Sequence, residues 1–188
     1  KLSPLELERL WRACMRAMAD VLRPDRDIPA PDVYTNARIM GWMADEYSQI
    51  ARANTPAAMT GKPVCLGGSE GRAEATGQGA LIALQEWVKR EDRDPKDITI
   101  AVQGFGSAGG QFAKLADKAG FKVVAVSDSK TAIYDEDGLD PGEIYACKQA
   151  EASSEGVVYC ASSVKDQDGG EAIGQNELLS LDVDVLAL

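Results

Sequence analysis

ITIAVQGFGSAGGQFAKLADKAGFKVVAVSD, residues 98–128, is the stretch on which the fold turns. ITIAVQ is a short, apolar, β-branched run, the pattern of a strand buried on both faces. GFGSAGG follows at once, QFAKLADKAG carries helical periodicity, and FKVVAVSD reads as a second buried strand. Strand, glycine turn, helix and strand within about 30 residues make a β-turn-α-β unit. Gly104, Gly106 and Gly109 stand in G-x-G-x-x-G spacing. The first permits a tight turn, the second lets a diphosphate approach the backbone, and the third lets helix and strand pack closely. Amides at the helix start and the positive end of its dipole then attract phosphate oxygens. Phe105, Ser107 and Ala108 complete the turn, with Ser107 as the expected helix cap. Asp128 ends the second strand 22 residues after Gly106. A carboxylate there accepts hydrogen bonds from both ribose hydroxyls and repels a 2′-phosphate. NAD is therefore the favoured cofactor, with Ser129 beside the same site. Lys130 brings a cation that makes NADP possible. The competing reading is a glycine turn that binds nothing, against which the strand, the helix and the acid all stand in the expected order.

Working outward, Ser3-Pro4-Leu5-Glu6 has the form of a capping box with proline at the first helical position. Leu7, Leu10, Trp11, Cys14, Met18 and Val21 continue at helical spacing, which predicts an amphipathic helix over 4–22. RPDRDIPAPDVYTN, 23–36, is rich in proline and aspartate and reads as a loop. Helical periodicity returns from Asn36 to about Ala53, a glycine-rich passage follows, and a third helix is expected over 75–90. Beyond the central unit, 132–134 is a short strand before the Asp137-Gly138 turn, and Pro141 starts another helix. GVVYCA (156–161) and DVDVLAL (182–188) read as later strands. The fold class is α/β: a Rossmann-like, doubly wound, mostly parallel sheet preceded by helices. The expected domains are 1–60, helical, and 61–188, dinucleotide-binding.

Composition narrows the function classes. The 188 residues carry 30 acidic and 20 basic side chains, a net charge of −10, which disfavours nucleic-acid backbones and anionic membrane surfaces. Solubility or adaptation to high salt accounts for the acidity. No apolar run approaches the length of a membrane span. Histidine is absent, so no Ser-His-Asp or Cys-His system can form, and proton transfer falls to carboxylates, lysines, tyrosines or water. Cys14, Cys65, Cys147 and Cys160 form no C-x-x-C pair. Buried free thiols are expected rather than a zinc site or disulfides. The N-terminus lacks a signal-peptide core, and a cytoplasmic location is the expectation.

Three ordered motifs carry a family resemblance: PAPDVYTN at 29–36, TGKPVCLGGSEGRAEATGQG at 60–79, and AVQGFGSAGG through VVAVSDSK at 101–130. They resemble the glutamate dehydrogenase family, whose wider group includes leucine, valine and phenylalanine dehydrogenases. The resemblance implies reversible oxidative deamination of an amino acid to a 2-oxo acid and ammonia, with L-glutamate as the substrate that PAPDVYTN points to, and hydride passing to nicotinamide. It places catalytic proton transfer on Asp32. By the residues alone Asp32 is one of several loop aspartates and reads as a cap or solvated turn residue rather than a catalytic one. A role in proton transfer would ask for partial burial to raise its pKa. The resemblance also nominates Arg72 and Thr76 as cofactor-binding residues, Thr76 for the nicotinamide carboxamide and Arg72 near the cleft. Without it, the threonine is a helix-start residue and the arginine a solvated one.

Ser107-Ala108 stands where family members commonly carry Asn-Val. The family's catalytic lysine motif precedes a segment like KLSPLELERL, so the resemblance places no catalytic role on Lys1. It leads to the expectation of a partial chain with little activity of its own and exposed apolar patches. The family assembles as hexamers, so a homo-oligomer is expected of the full-length protein. The alternatives are a catalytically silent dinucleotide-binding or regulatory paralogue, and a leucine- or phenylalanine-type dehydrogenase.

Overall fold

The computed structural model describes residues 2–32, 34–154 and 170–188. They fall into two compact units that divide between Arg72 and Ala73.

In the first unit, α1 (Pro4–Met18) and α2 (Ala37–Ala51) pack together. The Ser3 hydroxyl accepts from the Glu6 amide while the Glu6 carboxylate accepts from the Ser3 amide, closing the expected capping box. The helix ends at Met18, short of the expected residue 22, where the Val21 amide closes a tighter i→i−3 turn on the Met18 carbonyl at 2.9 Å. Leu22 then bridges to Asp27. The buried stripe also differs from the expected one. It follows an i, i+4 row through Leu7, Trp11 and Met15, and Met15 is fully buried among Ile39, Met40 and Met43. Leu10, Met18 and Val21 are exposed. α2 is capped by the Asn36 carboxamide, which accepts from the Ile39 amide at 3.1 Å. Arg12 links the helices by an ion pair to Asp45 at 2.6 Å, and also pairs within α1 with Glu8 at 2.8 Å. Residues 61–72 fall within this unit. A Cβ on Gly61 would sit 2.4 Å from the Pro31 ring, and one on Gly41 would sit 3.3 Å from both Pro63 and Leu66.

The second unit holds α3 (Ala75–Arg90), β1 (Thr99–Gln103), α4 (Gly109–Lys118), β2 (Lys122–Ser127), β3 (Ala132–Tyr134), α5 (Pro141–Ser154), β4 (Glu171–Ile173), α6 (Gln175–Leu178) and β5 (Val185–Ala187). The sheet order is β4-β3-β2-β1-β5. β1 runs parallel to both β2 and β5, and the short strands β3 and β4 extend the far edge antiparallel. Both sheet faces are covered, as a doubly wound fold requires. Ile100, Val102, Val123 and Val126 pack with α3, α4 and α5. Ala101, Ala125 and Ala132 pack with Leu178 of α6 on the other side. Asp184 pins β5 to β1: its carboxylate accepts from the Thr99 amide and hydroxyl, both at 2.9 Å, and pairs with Arg93 at 2.8 Å. The expected strand at 182–188 is thus β5, whereas the one at 156–161 lies outside the described residues.

The expectation of buried thiols is corrected where it can be read. Cys14 is half-buried, and Cys65 and Cys147 are exposed. Cys65 sits in a single 3₁₀ turn with no core above it, and Cys147 precedes the buried Lys148 on the solvent side of α5. Cys160 lies outside the described residues. Among the described residues, no helix is long and apolar enough to cross a membrane.

Candidate functional site

The glycine turn occupies the junction between β1 and α4. Gly104 adopts φ +94°, a left-handed conformation that favours glycine. The amides of Gly104 and Phe105 both donate to the Ser127 carbonyl at the end of β2, at 2.9 and 2.6 Å, which ties the turn to the neighbouring strand. A Cβ at position 109 would lie 2.2 Å from the Gly104 carbonyl oxygen and 3.2 Å from Val102, so only glycine lets the helix start so close to the strand. At Gly106 the space beside the backbone is open. Gly110 and Gly77 bring helices together in the same way: their added Cβ atoms would meet the Tyr145 ring at 2.8 Å and the Phe112 amide at 2.7 Å.

Among the described residues, the amides of Gly106, Ser107, Ala108 and Gly109 donate to no protein acceptor, while Gly110 and Phe112 begin the α4 ladder. Successive open amides at the positive end of a helix form a concavity suited to an anion, and the open side of Gly106 admits a bulky one. A diphosphate has the charge and shape for this turn. Two details depart from the sequence reading. Ala108, not Ser107, takes the N-cap position, and no side chain bonds there. Ser107 lies one residue too early, in the turn itself. Phe105 is 1% exposed, its ring edge-on to Tyr145 at 6.2 Å, so its side chain serves the core and only its backbone remains at the turn.

Asp128 follows β2 directly. One carboxylate oxygen accepts from the amides of Lys130 and Thr131 at 2.9 and 3.2 Å. The other pairs with the Lys148 ammonium at 3.0 Å. Burial pushes the Asp128 pKa upward, but the two amides and the ammonium outweigh it and hold the carboxyl below the usual range. Lys148 is 6% exposed and also donates to the Phe105 carbonyl at 3.4 Å. The sequence reading missed it. The available signal was its position four residues after Ile144, on the helix face that turns toward the core. Ser129 and Lys130 are exposed, as is Thr76 in the first turn of α3.

The remaining nominated residues lie in the first unit, where the first two motifs converge. The Pro29 carbonyl accepts from the amide and hydroxyl of Thr60, and the Pro31 carbonyl accepts from Arg72 at 3.3 Å. Asp32 is the next residue. It is exposed, and its amide and carbonyl close a tight turn with Thr35 at 2.6 and 3.0 Å. The partial burial asked of Asp32 is therefore not supplied by the residues described around it.

A strand–glycine-turn–helix on a largely parallel sheet, with helices on both faces, defines the Rossmann-type class of α/β folds. Comparison with known proteins then identifies the family. Residues 67–188 match the model for glutamate/leucine/phenylalanine/valine dehydrogenase, and residues 1–49 match that family's dimerisation domain. The chain belongs to this family. It is 48% identical over 186 residues to an NADP-specific glutamate dehydrogenase of Synechocystis sp., covering 99% of this chain and 43% of that protein. It is 50% identical over 135 residues to a cryptic catabolic NAD-specific glutamate dehydrogenase of Bacillus subtilis, covering 72% of this chain and 32% of that protein. Among solved structures, a hetero-hexameric glutamate dehydrogenase from Thermus thermophilus in its leucine-bound form superposes with a TM-score of 0.82 at 34% identity, over 98% of this chain and 41% of that one. The chain thus spans less than half the length of these relatives.

Proposed function

We propose that this chain belongs to an NAD(P)-dependent glutamate dehydrogenase and supplies its dinucleotide-binding turn. The observation that carries the reading is the run of four open amides, Gly106 to Gly109, at the start of α4 in a chain of this family. The nicotinamide cofactor, when bound, accepts or supplies the hydride for reversible conversion of L-glutamate to 2-oxoglutarate and ammonia. The chain's own residues bind and position it. The Gly106–Gly109 amides take the pyrophosphate oxygens, with Gly104 and the Phe105 backbone setting the turn. Asp128 and Ser129 serve the adenosine ribose, and Thr76 holds the carboxamide. Asp32 takes a proton from the substrate ammonium, because an amine must lose that proton before hydride can leave its α-carbon. Arg72, bonded to the Pro31 carbonyl, fixes the loop that carries Asp32 and brings a positive charge beside it. Residues 1–60 are assigned to the substrate domain.

Relatives of both nucleotide specificities match this chain, which supports acceptance of NAD and NADP alike. We further propose that the protein assembles with copies of itself through the segment matched by the dimerisation domain. The exposed Leu5, Leu10, Met18 and Val21 support that reading. Titration of the chain with NADH and NADPH, followed by nucleotide fluorescence, tests the binding proposal. Saturable binding is expected, and folded protein that takes up neither nucleotide contradicts it.

A further inference from the structure

We propose that Lys148 sets how the site treats the 2′ position of the adenosine ribose, by cancelling the charge of Asp128. The inference deepens the dinucleotide reading above and rests on it. An unpaired carboxylate at the end of the second strand accepts from a 2′-hydroxyl and repels a 2′-phosphate, whose added charge is roughly −1.5 to −2. Here that carboxylate is not unpaired. Lys148 and Asp128 form an ion pair at 3.0 Å with side chains 8% and 9% exposed. The pair adds no net charge, and the exposed Lys130 lies two residues away. The repulsion that makes this acid selective is therefore largely cancelled.

The geometry also gives Lys148 a positioning role. Its ammonium spans the Phe105 carbonyl in the glycine turn and the Asp128 carboxylate at the end of β2. It lies 6.0 Å from the Phe105 ring centroid. One buried side chain on α5 thus connects the pyrophosphate end of the proposed site to its ribose end. The other Asp128 oxygen is fixed by the Lys130 and Thr131 amides, so the carboxylate cannot turn away from the lysine without losing both. Changing either charge therefore alters the balance rather than simply moving the group.

The test is the ratio of NADPH to NADH dissociation constants, measured by fluorescence titration of the 188-residue chain and its variants. Wild type is expected to bind both within about tenfold of one another. Lys148→Gln removes the ammonium from Asp128 and is expected to weaken NADPH about tenfold more than NADH. Asp128→Asn leaves the lysine uncompensated and is expected to shift the ratio the other way. Combining the two restores the wild-type ratio, and Lys148→Arg keeps it. If Lys148→Gln does not fold, the double variant compared with Asp128→Asn decides the matter: a lower preference for NADPH than in Asp128→Asn is expected, and an equal ratio overturns the proposal. Variants that change both affinities by the same factor, or Lys148→Arg behaving like Lys148→Gln, overturn the proposal and leave the dinucleotide reading standing. Wild-type chain that binds neither nucleotide overturns both.

Discussion

The two compact units treat their candidate residues in opposite ways. In the second, the glycine turn is set by backbone bonds to Ser127, by the close approach at Gly109, and by a buried ion pair beside Asp128. In the first, Asp32 sits exposed on a proline-bound loop, its backbone bonded to Thr35, and the preceding Pro31 carbonyl accepts from Arg72. A phosphate site needs only backbone amides in a fixed arrangement, and one β-turn-α-β unit supplies them. Proton transfer needs a carboxylate whose surroundings tune its pKa, and such surroundings come from elements distant in sequence. The nucleotide site is therefore preformed by local chain geometry, whereas Asp32 stands on an exposed loop.

The largest effect is expected at the glycine turn. Gly109→Val places side-chain carbon where the Gly104 carbonyl stands, 2.2 Å away, and is expected to destabilise the second unit by about 3 kcal/mol or more and abolish NADH binding. Thermal unfolding and nucleotide titration measure both, and a variant of wild-type stability would break the claim of a preformed turn.

Asp128→Asn is expected to cost about 3 kcal/mol at neutral pH, since it leaves Lys148 buried without its partner. Because the folded state depresses the Asp128 pKa, the stability this group lends is present above the ordinary carboxylate value, about 4. It is lost as pH falls from there through the lower folded value. The melting-temperature gap between wild type and variant should therefore be widest near neutrality and narrow in acid. A gap that widens in acid would show that the pair is not what holds the carboxylate.

Met15→Ala, in the core between α1 and α2, is expected to cost roughly 2–3 kcal/mol in the first unit and leave NADH affinity within about twofold of wild type. Loss of nucleotide binding in a folded M15A chain would show that the turn depends on the first unit. Gly106→Ala sharpens the contrast from the other side. Its Cβ meets open space, so stability should change by less than about 1 kcal/mol while NADH binding weakens, because the methyl enters the space proposed for the diphosphate. The smallest effect belongs to Asp32→Asn, an exposed substitution expected to move stability by under about 0.5 kcal/mol and to leave NADH affinity unchanged.

The same contrast explains what could be read in the sequence. β1, α4 and β2 follow from hydrophobic runs flanking a glycine turn, and the boundaries of α3 and β3 coincide with the expected 75–90 and 132–134. β4 and α6 are only three and four residues long, too short for a periodic signal. On α1, Leu10, Met18 and Val21 fit the helical period as well as Met15 does, and periodicity alone could not say which row meets α2. The end of α1 was obscured in the same way, with Ala19-Asp20-Val21-Leu22 continuing the pattern while the backbone turns back at Met18. Lys148 went unread because its partner is 20 residues away in the chain, and only the packing of α5 against the glycine turn brings them together.

The central claim is that the Gly104–Gly110 backbone receives the dinucleotide. Amide chemical-shift mapping of the chain during NADH titration tests it most directly. The account predicts saturable shifts concentrated at Gly106 to Gly109 and Asp128, with the Pro31–Thr35 turn little changed. A well-dispersed spectrum whose glycine-turn amides do not move at saturating NADH would contradict it.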